Sequence, residues 1–292
     1  MNLLFRSDEI TFALLPQALA FIPIARARPG QGIKQDIRNS GLFVSLPRLA
    51  PFWYPSVMSR IQTGGIATTT TGLFMPVDFP LSEYESIHRR IAGKGGLDKA
   101  IYAEFAGAWN AVTHRFKALV THDDLFTASI SKHGTAPPAE ERHNQERDLF
   151  GFFNSGFSMF EAFFYALHAA GALLDPVAFP MTTAKEQRNV TAPKTVARYR
   201  SAFQSDPIIA SLDALEVHGA YLELREVRNV LAHRTAPGRV FHVSIGDTPA
   251  PDLWKVANIV LDKGTTATRR GRLCPLLTTG ISAFDKFSAS RF

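Results

Sequence analysis

Cysteine is almost missing from this chain: Cys274 is the one thiol in 292 residues. That excludes an internal disulfide and a cysteine-rich zinc site, and it fits a reducing compartment, so a cytoplasmic location is expected. A membrane partner is not expected. The apolar stretch from Ile10 to Ala25 is broken by Pro16 and Pro23 and preceded by Asp8 and Glu9, unlike a signal peptide, and no apolar run is read as long enough to span a bilayer. There is no phosphate loop of the Walker type, because Gly93-Lys94-Gly95-Gly96 lacks the spacing, and there is no nucleophile elbow, internal repeat or low-complexity tract. Cys274, followed by Pro275 and far from any histidine in sequence, reads as a packing residue. What remains is ordinary globular material, 46% apolar and 20% charged, with a net charge of +6 that favours an anionic partner, nucleic acid first.

The texture along the chain predicts an all-α protein with smaller attachments. Residues 1–80 are rich in Pro, Gly and Thr and read as a loop-rich N-terminal lobe packed on the core. Within it, Phe52-Trp53-Tyr54 between prolines suits a plug at a core edge better than a base-stacking platform, and Ala67-Thr-Thr-Thr-Thr71 suits an edge strand or a polar linker. Residues 81–238 carry helical spacing and form the expected core. Ser82 and Glu85 suggest a capping box ahead of Tyr84, Ile87 and Ile91. A second helix runs from Leu97 through Phe105, Trp109, Val112 and Phe116, with a break expected at Thr121-His122-Asp123-Asp124. After a loop over 132–139, residues 140–174 give a third, Phe-rich helix stopped at Asp175-Pro176. A fourth is expected from Pro193 to Gln204, and another from Asp206-Pro207 that continues unbroken through Gly219, where a kink or a close crossing is expected. In residues 239–292 we expect a hairpin of Val240–Ile245 with Lys255–Leu261, a basic loop at Thr268-Arg269-Arg270-Gly271-Arg272, and a short helix over Leu276–Phe287.

The run with the most chemistry is Glu223-Leu-Arg225-Glu-Val-Arg228-Asn229-Val-Leu-Ala-His233-Arg234, the end of a helix stopped by Pro237 and Gly238. On a helix Arg225, Asn229 and His233 follow one another at i, i+4, while Leu224, Val227 and Leu231 form the docking stripe. Arg228 lies about 140° round from His233, within swing of the same phosphate-sized space. An imidazole can move protons at neutral pH, a guanidinium can hold phosphate oxygens, and a carboxamide can fix the imidazole tautomer. This set suits phosphodiester chemistry and needs no metal or other cofactor. Basic residues in a last helical turn also serve simply to satisfy carbonyls and oppose the helix dipole.

Arg228-Asn229-x-x-x-His233 resembles the signature of the HEPN superfamily, the higher eukaryotes and prokaryotes nucleotide-binding domains. The resemblance covers about residues 140–240. It implies a compact helical bundle, a homodimer that brings two motifs together, and metal-independent RNA cleavage leaving a 2′,3′-cyclic phosphate. It also implies an antitoxin or regulatory partner and a role as a toxin or phage-defence effector. In such domains the core helix facing the motif supplies a polar residue near the arginine. Asn154, Ser158, Glu161 and Tyr165 share a stripe on the Phe-rich helix, which makes Glu161 the expected partner of Arg228. The expected catalytic set is therefore Arg228, Asn229, His233 and Glu161, with Arg225, Arg234, Arg269, Arg270 and Arg272 on the RNA and Asn229 orienting His233.

Two other classes compete with that reading. A non-catalytic HEPN-like module would use the same arginine and histidine to bind RNA without cutting it. An HD-type metal phosphohydrolase would use His122-Asp123 with His88 or His114 and with Asp175 or Asp213, although Asp-rich turns are common where helices end. His143, beside Arg142 and Asn144, reads as solvent-facing.

Overall fold

A computed structural model describes residues 9–13, 67–69, 72–233, 238–244, 253–256 and 259–292. Contacts divide the chain into two compact units, one of Met1–Leu14 with Gly65–Phe292 and one of Leu15–Gly64. All described residues belong to the first. The aromatic run at Phe52, Arg234 and the Pro237 stop lie outside the described residues.

Among the described residues the fold is mostly helical, with eight helices: α1 (Leu81–Gly93), α2 (Lys99–His133), α3 (Ala139–Leu174), α4 (Ala184–Arg188), α5 (Ala192–Ala202), α6 (Ile208–Glu216), α7 (Gly219–His233) and α8 (Thr265–Arg291). Strands β1 (Glu9–Ala13), β4 (Gly238–Ser244), β5 (Leu253–Val256) and β6 (Ile259–Leu261) make an antiparallel sheet in the order β1-β4-β5-β6. The two-residue strands β2 (Ala67–Thr68) and β3 (Phe74–Met75) pair separately, joined through Gly72 at φ +80°.

The long pair α2 and α3 is the frame. Asp98 opens α2 by accepting from the Ala100 and Ile101 amides at 2.8 and 3.0 Å, and Gly134 closes it at φ +71°. The short loop returns the chain antiparallel, so that Glu104 meets Tyr165, Arg115 meets Ser158 and His122 meets Asp148 in descending register. Phe105, Trp109, Phe116 and Phe126 of α2 and Phe152, Phe153, Phe160, Phe163 and Phe164 of α3 are all buried. Each such ring contributes roughly 2 to 3 kcal/mol of transfer free energy. Trp109 also donates its indole N–H to the Tyr84 carbonyl while Tyr84 donates its hydroxyl to the Trp109 carbonyl, both at 3.2 Å, which ties α1 to α2.

Several local expectations are corrected. The capping box at Ser82 does not form, because α1 starts right after Pro80 with no side-chain cap. Residues 121–124 do not break α2, which runs on to His133; the Asp123 carboxylate that suggested a turn is buried and paired with Arg270. Residues 268–272 are helical and not a loop, since α8 takes in the whole stretch from Thr265 and carries Pro275 inside it. α6 and α7 are separate: the His218 imidazole accepts from the Ala220 amide at 3.2 Å and caps a new helix. A Cβ on Gly219 would meet nothing within 4 Å, so no close crossing occurs there. The expectation that no apolar run reaches bilayer-spanning length also fails for α3, whose best window has a mean hydropathy of 1.3 but is 72% buried within the protein.

Candidate functional site on helix α7

The motif helix docks through Tyr221, Leu224, Val227 and Val230, all buried. Gly156 makes the approach to α3 possible, since a Cβ there would lie 2.9 Å from Leu119 and 3.2 Å from Leu224. Tyr221 then packs on Phe157 and Phe160, with ring centroids 5.8 and 5.5 Å apart. Burial, reinforced by the charges of Glu161 and Glu216 and opposed by Arg225, pushes the Tyr221 hydroxyl up to about 12. It stays protonated at neutral pH.

This docking leaves Arg228 at the edge of the contact, 23% exposed. Its guanidinium lies over the Phe157 ring at 5.0 Å to the centroid. Its Nη1 donates to Asn229 Oδ1 at 3.0 Å, and its Nη2 stands 3.7 Å from Glu161 Oε2. That second distance is an ion pair and too long for a hydrogen bond. Arg228 Nε is buried with no hydrogen-bond partner. Nε is closed off from solvent, so the donor left for an oxyanion is Nη2, held only by the long ion pair to Glu161.

Arg225, Asn229 and His233 lie exposed on the outer face of α7. Asn229 hydrogen-bonds Arg228, whereas it was expected to orient His233, and His233 has no hydrogen bond to a described side chain. The structure brings Arg228, Asn229 and Glu161 together and leaves His233 at the end of α7 with no hydrogen bond or ion pair to any of them. Phe157, read from the sequence only as a core residue, holds the arginine as well; its place one turn before Glu161 on α3 was the signal available.

The three α8 arginines are placed otherwise. Arg269 Nε donates to Glu223 Oε1 at 2.6 Å, and its guanidinium faces Phe153. Arg270 donates from Nε and Nη2 to Asp78 Oδ2 at 3.0 and 2.9 Å and from Nη1 to Asp123 Oδ2 at 3.3 Å, with Asp124 at 3.6 Å. Burial alone would lower its pKa, but Asp78 and Asp123 hold it above the ordinary value. Only Arg272 of the three is left exposed. Beside Arg270 an open groove of about 780 Å³ is lined by Asp78, Asp123, Cys274 and Thr278. The Cys274 thiol, pushed up to about 12 by burial and by Asp78, is a poor nucleophile there.

His122 and Asp123 point to different partners. His122 Nδ1 lies 3.3 Å from Asp148 Oδ1, and Asp123 belongs to Arg270. Burial raises the Asp148 pKa, yet hydrogen bonds from His122 and Arg147 more than offset it and hold the carboxyl below its usual value. Among the described residues no three His, Cys, Asp or Glu side chains converge as metal ligands, so the HD-type arrangement finds no geometric support. Comparison of the chain with family models, with curated proteins and with solved structures found no match.

Proposed function

We propose that this protein is a metal-independent endoribonuclease of HEPN type. The single observation that carries the reading is the Arg228 guanidinium: packed on Phe157 and bonded to Asn229, it keeps a loosely paired Nη2 on the helix that ends in the exposed His233. In this reading α2, α3 and α7 belong to a HEPN-like bundle, β4 and β5 are its C-terminal hairpin, and the ligand is RNA. The ribose 2′-oxygen attacks the adjacent phosphorus, giving its proton to the imidazole of His233 as the P–O2′ bond forms. The P–O5′ bond breaks, the 5′-oxygen takes up a proton, and a 2′,3′-cyclic phosphate remains. Arg228 stabilises the charge on the crowded phosphorane through Nη2, displacing or sharing Glu161. A homodimer would supply a second histidine as the acid.

A second reading is favoured by one observation, that no described side chain orients His233. In it the same surface binds RNA, or a protein such as an antitoxin, without cutting. The two separate on cleavage of a mixed RNA pool in excess EDTA. Fragments ending in cyclic phosphate from wild type, lost in Arg228→Ala and His233→Ala, are the expected result. RNA binding without fragments would overturn the nuclease reading in favour of the binding module.

A further inference from the structure

A second arginine reaches the same turn of α3 from the opposite flank. Arg115 of α2 is half-buried and donates from Nη1 to the Ser158 carbonyl at 2.8 Å. Among the described residues it has no carboxylate partner, unlike Arg90, Arg147, Arg200, Arg269 and Arg270. The Ser158 carbonyl, inside a continuous helix, already has its amide four residues on, so the helix does not need this bond. Arg228, from α7, rests on Phe157 and Glu161. The α3 positions that anchor the two arginines span only residues 157–161, about 6 Å of helix axis. Between them lies the stripe of Asn154, Ser158 and Glu161, whose first two side chains are half-exposed and have no hydrogen bond among the described residues.

We infer that Arg115 and Arg228 form a two-arginine cradle across α3 that holds neighbouring phosphates of one RNA strand, with Arg115 as a positioning residue outside the reacting centre. The inference rests on the proposed ribonuclease site and extends it by one phosphate subsite. Arg115 carries no ion pair among the described residues, while at Arg228 the charge is mixed, since the Tyr221 hydroxyl feels Arg225 against Glu161 and Glu216. The polar stripe between the arginines offers neutral donors and acceptors to a ribose or a base edge.

The test is fluorescence anisotropy of a labelled 12-nucleotide oligouridylate in EDTA across a salt series, with cleavage of the same oligonucleotide followed in parallel. Wild type is compared with Arg115→Ala, Arg115→Lys, Arg228→Ala and, as control, Arg188→Ala, whose side chain lies on α4 and bonds the Ala184 carbonyl. Thermal melts establish that each variant is folded. Arg115→Ala is expected to weaken binding about tenfold at low salt and to shallow the log–log salt slope by about 0.7, the share of one phosphate contact on a single strand. Arg115→Lys should restore most of the slope, and Arg188→Ala should match wild type. Binding by Arg115→Ala equal to wild type, in slope and affinity, overturns the cradle and leaves the ribonuclease reading standing. Binding that depends on Arg115 without any cleavage overturns the ribonuclease and leaves the cradle. A chain that does not bind the oligonucleotide, or that binds a DNA duplex equally well through Arg115, overturns the cradle for RNA.

Discussion

Arg228 and Arg270 both sit at helix surfaces, and each is 23% exposed, yet one is loosely held and the other is saturated. Arg270 spends three of its nitrogens on Asp78 and Asp123, with Asp124 close by. Arg228 has one hydrogen bond, one long ion pair and a buried Nε with no partner. A guanidinium whose donors are filled by carboxylates from α2 and from the turn before α1 ties elements together. One held by a single neutral hydrogen bond and a long ion pair keeps its Nη2 donor for an oxyanion. Burial is equal in the two places, so it is the satisfaction of donors that separates a fold residue from a candidate site residue.

The comparison is broken most sharply by exchanging the losses. Arg228→Ala should lower RNA cleavage at least 100-fold, the scale of one lost transition-state donor, with little change in melting temperature. Arg270→Ala should do the reverse, costing about 3 kcal/mol in urea unfolding because Asp123 is left buried without its cation, while cleavage per folded molecule persists. Equal losses of stability in the two variants would erase the distinction.

A smaller effect is expected from His168, which is buried between Thr195 Oγ1 and the Pro180 carbonyl, 3.4 Å from each. Burial lowers its pKa from 6.5 to about 4, against the Pro180 hydrogen bond and with help from Arg198. The folded-state value lies below the unfolded one, so between pH 6.5 and 4 the unfolded chain takes up a proton that the folded chain refuses. Stability therefore falls as pH drops through that window, by roughly 2 kcal/mol from this group, and above it the group contributes nothing. Urea midpoints measured from pH 7 to 4 should show a flatter profile for His168→Gln than for wild type; parallel profiles would remove His168 as a cause.

The smallest effect belongs to Gly151, where an added Cβ would fall 2.4 Å from the His122 ring. Gly151→Ala should cost about 1 kcal/mol by turning that ring away from Asp148, and it should leave cleavage unchanged, since His122 contacts neither Arg228 nor Glu161. Retention of the wild-type melting temperature would show that the ring yields freely.

Much of this was legible in the sequence wherever local pattern decides structure. The Phe periodicity of α3, its stop at Asp175 and the stripe carrying Glu161 all follow from spacing, whereas the pairing of Glu161 with Arg228 was implied by the HEPN resemblance, and the two stand 3.7 Å apart. What was not legible depended on partners far away in the chain. Residues 121–124 look like a turn until Asp123 finds Arg270, 147 positions on. Arg269-Arg270-Gly271-Arg272 looks like a solvated loop until Glu223 and Asp78 neutralise it inside α8. Asn229 could serve His233 or Arg228 by spacing alone; docking against Phe157 places the guanidinium within its reach.

The most direct measurement of the central claim is cleavage of a mixed RNA pool in excess EDTA by wild type, Arg228→Ala and Arg270→Ala, with each rate normalised to folded protein. The account predicts fragments ending in 2′,3′-cyclic phosphate from wild type and from Arg270→Ala, and none from Arg228→Ala. Fragments from Arg228→Ala at the wild-type rate would contradict it.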